Sequence, residues 1–167
     1  NRLGESVDYT LDAQGNRTRI QIKSSTGAAV NTQQYVYDEL GRLLRSLGAA
    51  GQTQQFGHDL NDNLASATSP RNHKTQHSFD ALNRLVQSVD PLGAITRINY
   101  DPNDRPTQVM DARQVTTRYE YDEHGNLTRS ISPDSGTTLY TYDNASNVVK
   151  RVDARGVITQ YAYDALN

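Results

Sequence analysis

The chain has 167 residues, of which 35% are hydrophobic and 7% aromatic, with ten Tyr and two Phe, and its formal net charge is -2. Seventeen basic and nineteen acidic side chains leave no positive surplus for nucleic acid or an anionic membrane surface. The absence of cysteine excludes disulfides, thiol nucleophiles and thiolate metal sites, and no apolar run approaches the roughly 18 residues of a membrane span.

Two segments differ in their regularity, residues 1–34 and residues 35–167. In residues 35–167 an aromatic-Asp pair recurs every 21 residues, and the last copy is truncated. Residues 1–34 hold a degenerate copy whose pair, Leu11-Asp12, lies 26 residues before Asp38. The five extra residues predict a lengthened turn around Lys23 to Thr32. A fixed period of this kind indicates an array of one supersecondary unit, and we expect the chain to be a fragment of a longer array.

The Asp of each pair, which we number position 0, is expected to start a tight turn. The run Tyr37-Asp38-Glu39-Leu40-Gly41-Arg42 is typical of a hairpin loop built on a type I turn followed by a left-handed residue. An Asp carboxylate at position 0 can accept the backbone N–H two residues later. Pro102, directly after Asp101, fits the φ angle that the next turn position requires.

A second turn is predicted at positions +10 to +13, half a repeat later. Examples are Asp90-Pro91-Leu92-Gly93, Ser132 to Ser135 and Asp153 to Gly156. Each repeat therefore consists of two short strands and two tight turns. The predicted structural turn residues are Asp38, Asp59, Asp80, Asp101, Asp122, Asp143, Asp164, Gly41, Gly93, Gly125 and Gly156.

Alternation along the strands predicts which side chains share a face. The aromatic residues at positions -3 and -1 lie two apart and point to one side. The residues at +5 and +9, such as Leu43 and Leu47, are four apart and are expected to share one side as well. The predicted inner face consists of Tyr35, Tyr37, Phe56, Phe79, Tyr100, Tyr119, Tyr121, Tyr140, Tyr142, Tyr161 and Tyr163.

The predicted fold is all-β. Tandem 21-residue repeats form a β-meander sheet that curls into a β-solenoid-like shell segment, because open twisted sheets of about 14 strands curl or close. Such a sheet needs the remainder of its own array as a partner. An isolated fragment is expected to self-associate through its sheet edges.

Several copies, among them Tyr37 to Leu43, Phe79 to Leu85 and Tyr121 to Leu127, resemble the YD repeat, Y-D-x-x-G-[RN]-L with a 21-residue period. This repeat is typical of Rhs proteins, the C component of insecticidal toxin complexes, wall-associated bacterial proteins and teneurins. The resemblance implies a hollow β-shell that, in bacterial toxins, encloses a C-terminal effector. It also implies a bacterial protein that is secreted or at the cell surface, with a role in bacterial competition.

Candidate chemical sites have simpler structural interpretations. Asp59-Leu60-Asn61-Asp62-Asn63 resembles the start of a calcium loop, but Leu64 and Pro70 stand where its Gly and Glu are required. His58 and His77 occupy aromatic positions, where a zinc site is conceivable, although simple substitution in an aromatic position is favoured. The sequence contains neither a nucleophile motif nor a phosphate-binding loop. We therefore expect no catalytic, cofactor or metal residues.

The favoured function is a structural wall segment of an Rhs-type polymorphic toxin shell, without catalysis of its own, whose inner face contacts an enclosed C-terminal toxin polypeptide. The alternative is a cell-surface adhesion or carbohydrate-binding array, in which Tyr rings stack on sugars. A hydrolase is the least favoured function. Nucleic acid and membrane lipid are not expected as partners.

Overall fold

The structure is a computed structural model that describes residues 4–164, and all regular secondary structure in that range is β-strand. The chain divides into two units, Asn1–Asn83 and Arg84–Asn167. The strands of the first unit are β1 (Ser6–Leu11), β2 (Arg17–Lys23), β3 (Ala29–Tyr37), β4 (Leu43–Leu47), β5 (Thr53–His58), β6 (Leu64–Thr68) and β7 (Lys74–Phe79). Those of the second are β8 (Leu85–Val89), β9 (Ile95–Tyr100), β10 (Pro106–Met110), β11 (Thr116–Tyr121), β12 (Leu127–Ser132), β13 (Gly136–Tyr142), β14 (Val148–Val152) and β15 (Ile158–Gln160).

Within each unit the strands pair antiparallel in chain order, so that each strand lies beside the strands that precede and follow it in the sequence. This arrangement confirms the predicted all-β meander of tandem repeats. Its turns alternate between two ends of the strands, which we call the Asp-turn end and the second-turn end.

An extra residue interrupts the Asp-turn hairpins whose two strands lie in one unit. In the β3–β4 pair, Val36 lies opposite Arg45 and Tyr37 lies opposite Leu43, which leaves Leu44 unpaired between them. The same register shift occurs in β1–β2, β5–β6, β9–β10, β11–β12 and β13–β14. Such a bulge reverses the face of every residue beyond it, because side chains alternate with a period of two.

The bulge overturns the prediction that positions +5 and +9 share a face. Leu43 lies opposite the aromatic Tyr37, but Leu47 lies opposite Gln34, on the other side of the sheet. The residue that faces the aromatic position -3 is instead the one at +8. This position is mostly small, as Ser46 opposite Tyr35 and Ala67 opposite Phe56 show. Simple alternation failed here because it assumes a strand without insertions.

The five extra residues of the first copy lie in strands. The turn from Ser24 to Gly27 is tight, since the Gly27 N–H donates to the Ser24 carbonyl at 2.9 Å. The neighbouring strands are longer than in later copies, with seven residues in β2 and nine in β3. The register shifts between Ile22 and Lys23, so that Val30 of β3 has no partner in β2. The prediction of a lengthened turn was therefore wrong, because strand pairing continued through the added residues.

One second turn is displaced from its predicted position. The residues Ser132 and Gly136 pair as strand residues, and the left-handed position falls on Gly136, whose φ is 76°. The prediction of a turn over Ser132 to Ser135 is off by one residue. A Cβ built on Gly136 would lie 2.4 Å from the Ala154 Cβ, so only glycine fits this position without a shift of its neighbours.

Neither unit contains a fully buried side chain among residues 4–164. In each unit the described strands form a single layer, and the strand contacts seen are between neighbours in the sequence. Strands β1 and β15 leave apolar side chains in water, with Tyr9 52% and Ile158 55% exposed. Single layers of this kind depend on stacked neighbours for further burial. Within the described part of the chain no helix is long and apolar enough to cross a membrane.

Candidate functional site: an aromatic face beside the Asp turns

Each Asp turn is closed by its own backbone and by the carboxylate of its Asp. In the first regular copy the Gly41 N–H donates to the Asp38 carbonyl at 3.0 Å, and Asp38 Oδ1 accepts the N–H groups of Leu40 and Arg42 at 3.0 and 2.9 Å. The same two backbone groups reach the carboxylates of Asp12, Asp59, Asp101, Asp122 and Asp143. Asp80 accepts the Leu82 N–H at 2.9 Å. The turn that follows Asp164 lies outside the described residues.

The residue at +3 has a left-handed backbone in every described Asp turn. These residues are Gly15, Gly41, Asp62, Asn83, Asp104, Gly125 and Ser146, with φ between 61° and 90°. Asp and Asn tolerate this conformation better than other side chains, and Gly adopts it without steric cost. The left-handed backbone at +3 is the conformation expected there from the sequence.

The residue at +4 joins consecutive Asp turns, a function that the sequence analysis did not assign. Arg42 Nε donates to Asp38 in its own turn at 2.7 Å, while its Nη1 reaches the Asp59 carbonyl and the Asp62 carboxylate at 3.2 and 2.6 Å in the next turn. Arg84 makes the same forward contacts to Asp101 and Asp104, at 3.1 and 2.7 Å. The restriction of position +4 to Arg or Asn was the sequence signal for this connection.

Asn at +4 makes a shorter connection. The Asn63 side-chain amide donates to Asp59 at 3.0 Å and to Asn83 of the next turn at 2.8 Å. The Asn126 amide donates to Asp122 at 3.0 Å, and the described residues show no bond from it to the following turn. An Arg at +4 thus reaches the carbonyl of the next Asp, whereas the Asn63 amide reaches the +3 side chain of the next turn and, among the described residues, the Asn126 amide is seen to bond only within its own turn.

These hydrogen bonds hold the carboxyl groups in their charged form. The backbone N–H of Arg42 lowers the pKa of Asp38, and the side-chain amides of Asn63 and Asn126 lower the pKa of Asp59 and Asp122. For Asp101 burial acts to raise the pKa, but the donors of Arg105 and Asn103 outweigh it and the net shift is downward.

The second turns use the same local backbone with fewer side-chain links. The Gly93 N–H donates to the Asp90 carbonyl at 3.0 Å and that of Gly156 to the Asp153 carbonyl at 2.9 Å, and both glycines have positive φ. Asp90 Oδ1 accepts the Leu92 and Ala94 N–H groups at 2.8 and 2.9 Å. Arg113 bridges Asp111 of its own turn and Asp134, 21 residues later.

The aromatic side chains lie on one face of their strands and are half-buried. In β7, Thr75, His77 and Phe79 are partly covered, whereas Lys74, Gln76 and Ser78 are exposed. Strands β9, β11 and β13 repeat this alternation up to their last aromatic residue. Tyr161 and Tyr163 follow the end of β15 and are 42% and 45% exposed. We refer to this side of each unit as the aromatic face.

The Tyr at position -1 ties the aromatic face to the preceding repeat. The hydroxyl groups of Tyr100, Tyr121 and Tyr142 donate to the carbonyls of Leu85, Pro106 and Leu127 at 2.9, 2.9 and 2.8 Å. Burial raises the pKa of Tyr121 and Tyr142, so both phenols remain protonated donors at neutral pH. The guanidinium carbons of Arg84 and Arg105 lie 4.7 and 4.9 Å from the ring centres of Tyr100 and Tyr121.

His58 and His77 lie on the aromatic face of the first unit, and the Nδ1 atom of each is buried without a hydrogen-bond partner. No group of three or more His, Asp or Glu side chains with metal-binding geometry occurs within residues 4–164. Asp59 and Asp62, which suggested a calcium loop, accept hydrogen bonds from Asn63 and Arg42. Both carboxylates therefore take part in the hydrogen bonds that close and join the Asp turns.

A groove of about 450 Å³ lies on the aromatic face of the first unit. It runs between Tyr35 and Phe56 over the small residue Ser46, and Gln33 and Gln54 contribute amide groups to its walls. Aromatic rings beside amide and hydroxyl groups can hold polypeptide or sugar by combined apolar and hydrogen-bonding contacts.

Comparisons with known proteins agree with this architecture. The family model described as "Teneurin YD-shell" matches residues 2–167. Among curated proteins, no sequence matches the chain.

Solved structures with the same fold include TcdB2-TccC3-Cdc42 and TcdB2-TccC3-TEV. The first has 17% sequence identity and a TM-score of 0.71 over 85% of this chain, and the second has 16% identity and a TM-score of 0.73 over 88%. The Tc holotoxin pore of Photorhabdus luminescens, with a mutation in TccC3, has 16% identity and a TM-score of 0.70 over 85% of the chain. The matched region covers only 8% to 9% of these chains.

Proposed function

The chain belongs to the teneurin YD-shell family, and from this premise we propose that it is a non-catalytic wall segment of a toxin shell whose aromatic face contacts an enclosed C-terminal polypeptide. The observation that carries the proposal is the single-layer construction. Every described aromatic side chain of the face keeps part of its surface in water, and no residue of the described range is fully buried. A sheet with one half-apolar face gains stability when further chain covers that face.

The chemistry of the aromatic face suits an unfolded or partly folded polypeptide. Tyr rings offer apolar area, and their neighbours on the same face, such as Thr75, Thr96 and Ser46, offer hydroxyl groups that can donate or accept. The Tyr, Phe and Thr side chains of the face carry no charge at neutral pH, so contact with them uses apolar and hydrogen-bonding groups.

The remainder of the array is the other proposed partner. The apolar side chains of β1 and β15, including Val7 at 48% and Ile158 at 55% exposure, suit pairing with further strands of the same kind. We propose a secreted or cell-surface bacterial protein as the full-length context, in keeping with the toxin names of the structural neighbours. The division into a degenerate first repeat, residues 1–34, and regular repeats, residues 35–167, is part of this proposal.

The direct test is limited proteolysis of the full-length protein. We expect a C-terminal domain unrelated to the repeats, protected from protease while the array is intact. The double variant Tyr119→Ala/Tyr140→Ala on the aromatic face is expected to increase cleavage of that domain. The matched variant Arg118→Ala/Glu120→Ala, on the opposite face of the same strand, is expected to leave protection unchanged. A full-length protein that ends in a wall anchor without such a domain would refute the proposal.

The alternative, an adhesion or carbohydrate-binding array, is favoured by one feature, the groove between Tyr35 and Phe56. Saturable binding of an oligosaccharide by the 167-residue chain, lost in Phe56→Ala and retained in Phe79→Ala, would support it. Isothermal titration calorimetry with a glycan panel makes this measurement, and a uniform absence of heat would exclude the alternative for these glycans.

A further inference from the structure

A second groove, of about 490 Å³, opens in the second unit between the turns that begin at Asp122 and Asp143. Asn126 and His124 line it from the first turn, Ser146 from the second, and Tyr142 from the strand between them. It lies at the Asp-turn end of this unit. Its size falls within the range of small-molecule and side-chain binding sites.

Earlier repeats show what occupies this place when position +4 is Arg. The Arg84 guanidinium donates to the Asp101 carbonyl at 3.1 Å and to the Asp104 carboxylate at 2.7 Å, and it lies over the Tyr100 ring at 4.7 Å. Arg105 places its guanidinium 3.2 Å from the Asp122 carbonyl oxygen and 4.9 Å from the Tyr121 ring centre. The Asp turn together with the preceding Tyr is therefore a receptor for a guanidinium group.

The Asp122 repeat has the receptor without the guanidinium. The Asn126 amide donates to Asp122 at 3.0 Å, as Arg105 donates to Asp101 in the repeat before. Unlike Arg105, Asn126 is not seen to bond the turn that follows in the described part of the chain. Within residues 4–164, the Asp143 carbonyl is shown to accept only the Ser146 N–H, at 3.1 Å. A carbonyl oxygen has two acceptor sites, so a further donor can bind there. Ser146 occupies position +3 of this turn, the position that Asp104 occupies in the turn of Asp101.

The charge of the groove favours a cation. The carboxylates of Asp122 and Asp143 flank it, and hydrogen bonds from Asn126 and Asn147 keep both ionised at neutral pH. The neighbouring Tyr142 ring offers a face suited to a planar cation. A guanidinium satisfies all of these groups better than an ammonium, because its planar fork can donate to carbonyl and hydroxyl oxygens while it stacks on the ring.

We propose that the groove between the Asp122 and Asp143 turns binds a guanidinium group supplied from outside this repeat, which takes the place that Arg84 and Arg105 occupy in the preceding repeats. The group belongs either to a small guanidino compound or to an Arg side chain of a polypeptide. Both sources present the same donors. The proposal does not depend on whether the array encloses a cargo.

The test is a titration of the ¹⁵N-labelled 167-residue chain followed by NMR. Acetyl-arginine methylamide is expected to shift the amide signals of Asp143 to Ser146 and of Tyr142, with saturation at millimolar concentration. The matched citrulline derivative has the same shape without the charge and is expected to cause no saturable shift. A Gly-Arg-Gly peptide distinguishes the sources, because at least tenfold tighter binding of the peptide indicates an Arg side chain in a polypeptide, and equal binding indicates a small molecule.

Two variants test the location of the site. Asn126→Arg supplies the guanidinium from position +4 and is expected to weaken binding of acetyl-arginine methylamide at least tenfold. Ser146→Asp restores the carboxylate found at Asp104, in a backbone conformation that Asp104 already adopts with φ of 63°, and is expected to tighten binding about threefold to tenfold. Asn16→Arg places the same charge in an Asp turn of the first unit and is expected to leave binding unchanged.

Three results would overturn the proposal. These are the absence of saturable shifts in the unmodified chain, equal shifts with the citrulline derivative, and unchanged affinity in Ser146→Asp. If Asn126→Arg does not fold, the Ser146→Asp variant still decides, because its prediction is a gain of affinity that a damaged fold cannot produce.

Discussion

The two ends of the strands use the same backbone turn but differ in what connects one turn to the next. At both ends an Asp side chain commonly caps the turn through the N–H groups two and four residues later, as Asp101 and Asp90 both do. At the Asp-turn end Arg42, Arg84 and Arg105 also donate to the following turn. At the second-turn end the described residues show one comparable link, from Arg113 to Asp134. Closing a turn thus depends on the residues of that turn, whereas joining one turn to the next depends on a side chain that reaches beyond its own turn, which Arg at +4 does most fully.

Acid is expected to have the largest effect, and to act mainly on the Asp-turn end. Within the part of the chain that the structure describes, carboxyl groups with lowered pKa values include six at this end (Asp12, Asp38, Asp59, Asp101, Asp122 and Asp143) and two in the second turns (Asp111 and Asp153). A pKa below the unfolded value contributes stability above that value and loses it as the pH falls through the folded value. The melting temperature should therefore fall as the pH is lowered through and below the ordinary Asp pKa of about 3.9. Hydrogen exchange should show greater loss of protection at the Asp turns, and equal loss at both ends would contradict the comparison.

Gly136→Ala is expected to cause the next largest loss, at the displaced second turn. The new methyl group would lie 2.4 Å from Ala154 and the backbone would remain at positive φ, so we expect about 2–4 kcal/mol of destabilisation. Gly93→Ala is the matched control, since its φ is 84° and nothing lies within 4 Å of the added Cβ. It should cost only about 1 kcal/mol. Urea unfolding of both variants measures the difference, and equal losses would show that the contact with Ala154 relaxes freely.

Asp101→Ala and Asp90→Ala compare the two ends directly, because both Asp residues precede a proline and cap two backbone N–H groups. Asp101 additionally binds Arg105 Nε at 2.7 Å. Its replacement should lower the melting temperature by roughly 3–6 °C, and that of Asp90 by about half as much. Thermal unfolding followed by circular dichroism tests this order. A larger loss in Asp90→Ala would mean that the link through Arg105 contributes nothing measurable.

Tyr121→Phe should have the smallest effect. It removes the hydroxyl that donates to the Pro106 carbonyl at 2.9 Å but leaves the ring and its contact with Arg105 in place, so the expected loss is about 1 kcal/mol. Tyr119→Phe is the control, since the described residues show no hydrogen bond from the Tyr119 hydroxyl. Its stability in urea should equal that of the unmodified chain. Identical stability of both variants would indicate that water replaces the Pro106 contact without cost.

Much of the fold followed from local sequence. The order Asp, two variable residues and then Gly, Asn, Asp or Ser predicted every described Asp turn, because each of these residues acts on the backbone within four positions. The alternation of Thr and aromatic residues likewise identified the half-buried side of β7, β9, β11 and β13.

The errors arose where a residue depends on the strand opposite. Leu47 was placed on the wrong face because the bulge at Leu44 reverses the alternation. The extra residues between Asp12 and Asp38 were placed in a turn, although strand pairing lengthened β2 and β3 instead. The link from Arg42 to the Asp59 turn was not predicted, since it joins positions 17 and 20 residues apart in the sequence.

The sequence by itself determined the period, the turns and the meander of β-strands, because these depend on backbone preferences that a few neighbouring residues set. Only the tertiary structure decided which side chains face each other across the hairpins and which turns are joined. Those features depend on register, and one inserted residue reverses the faces without changing the local composition. The groove beside Asn126, which we propose as a guanidinium site, belongs to this second class, since it becomes visible only when one repeat is compared with the Arg-linked repeats before it.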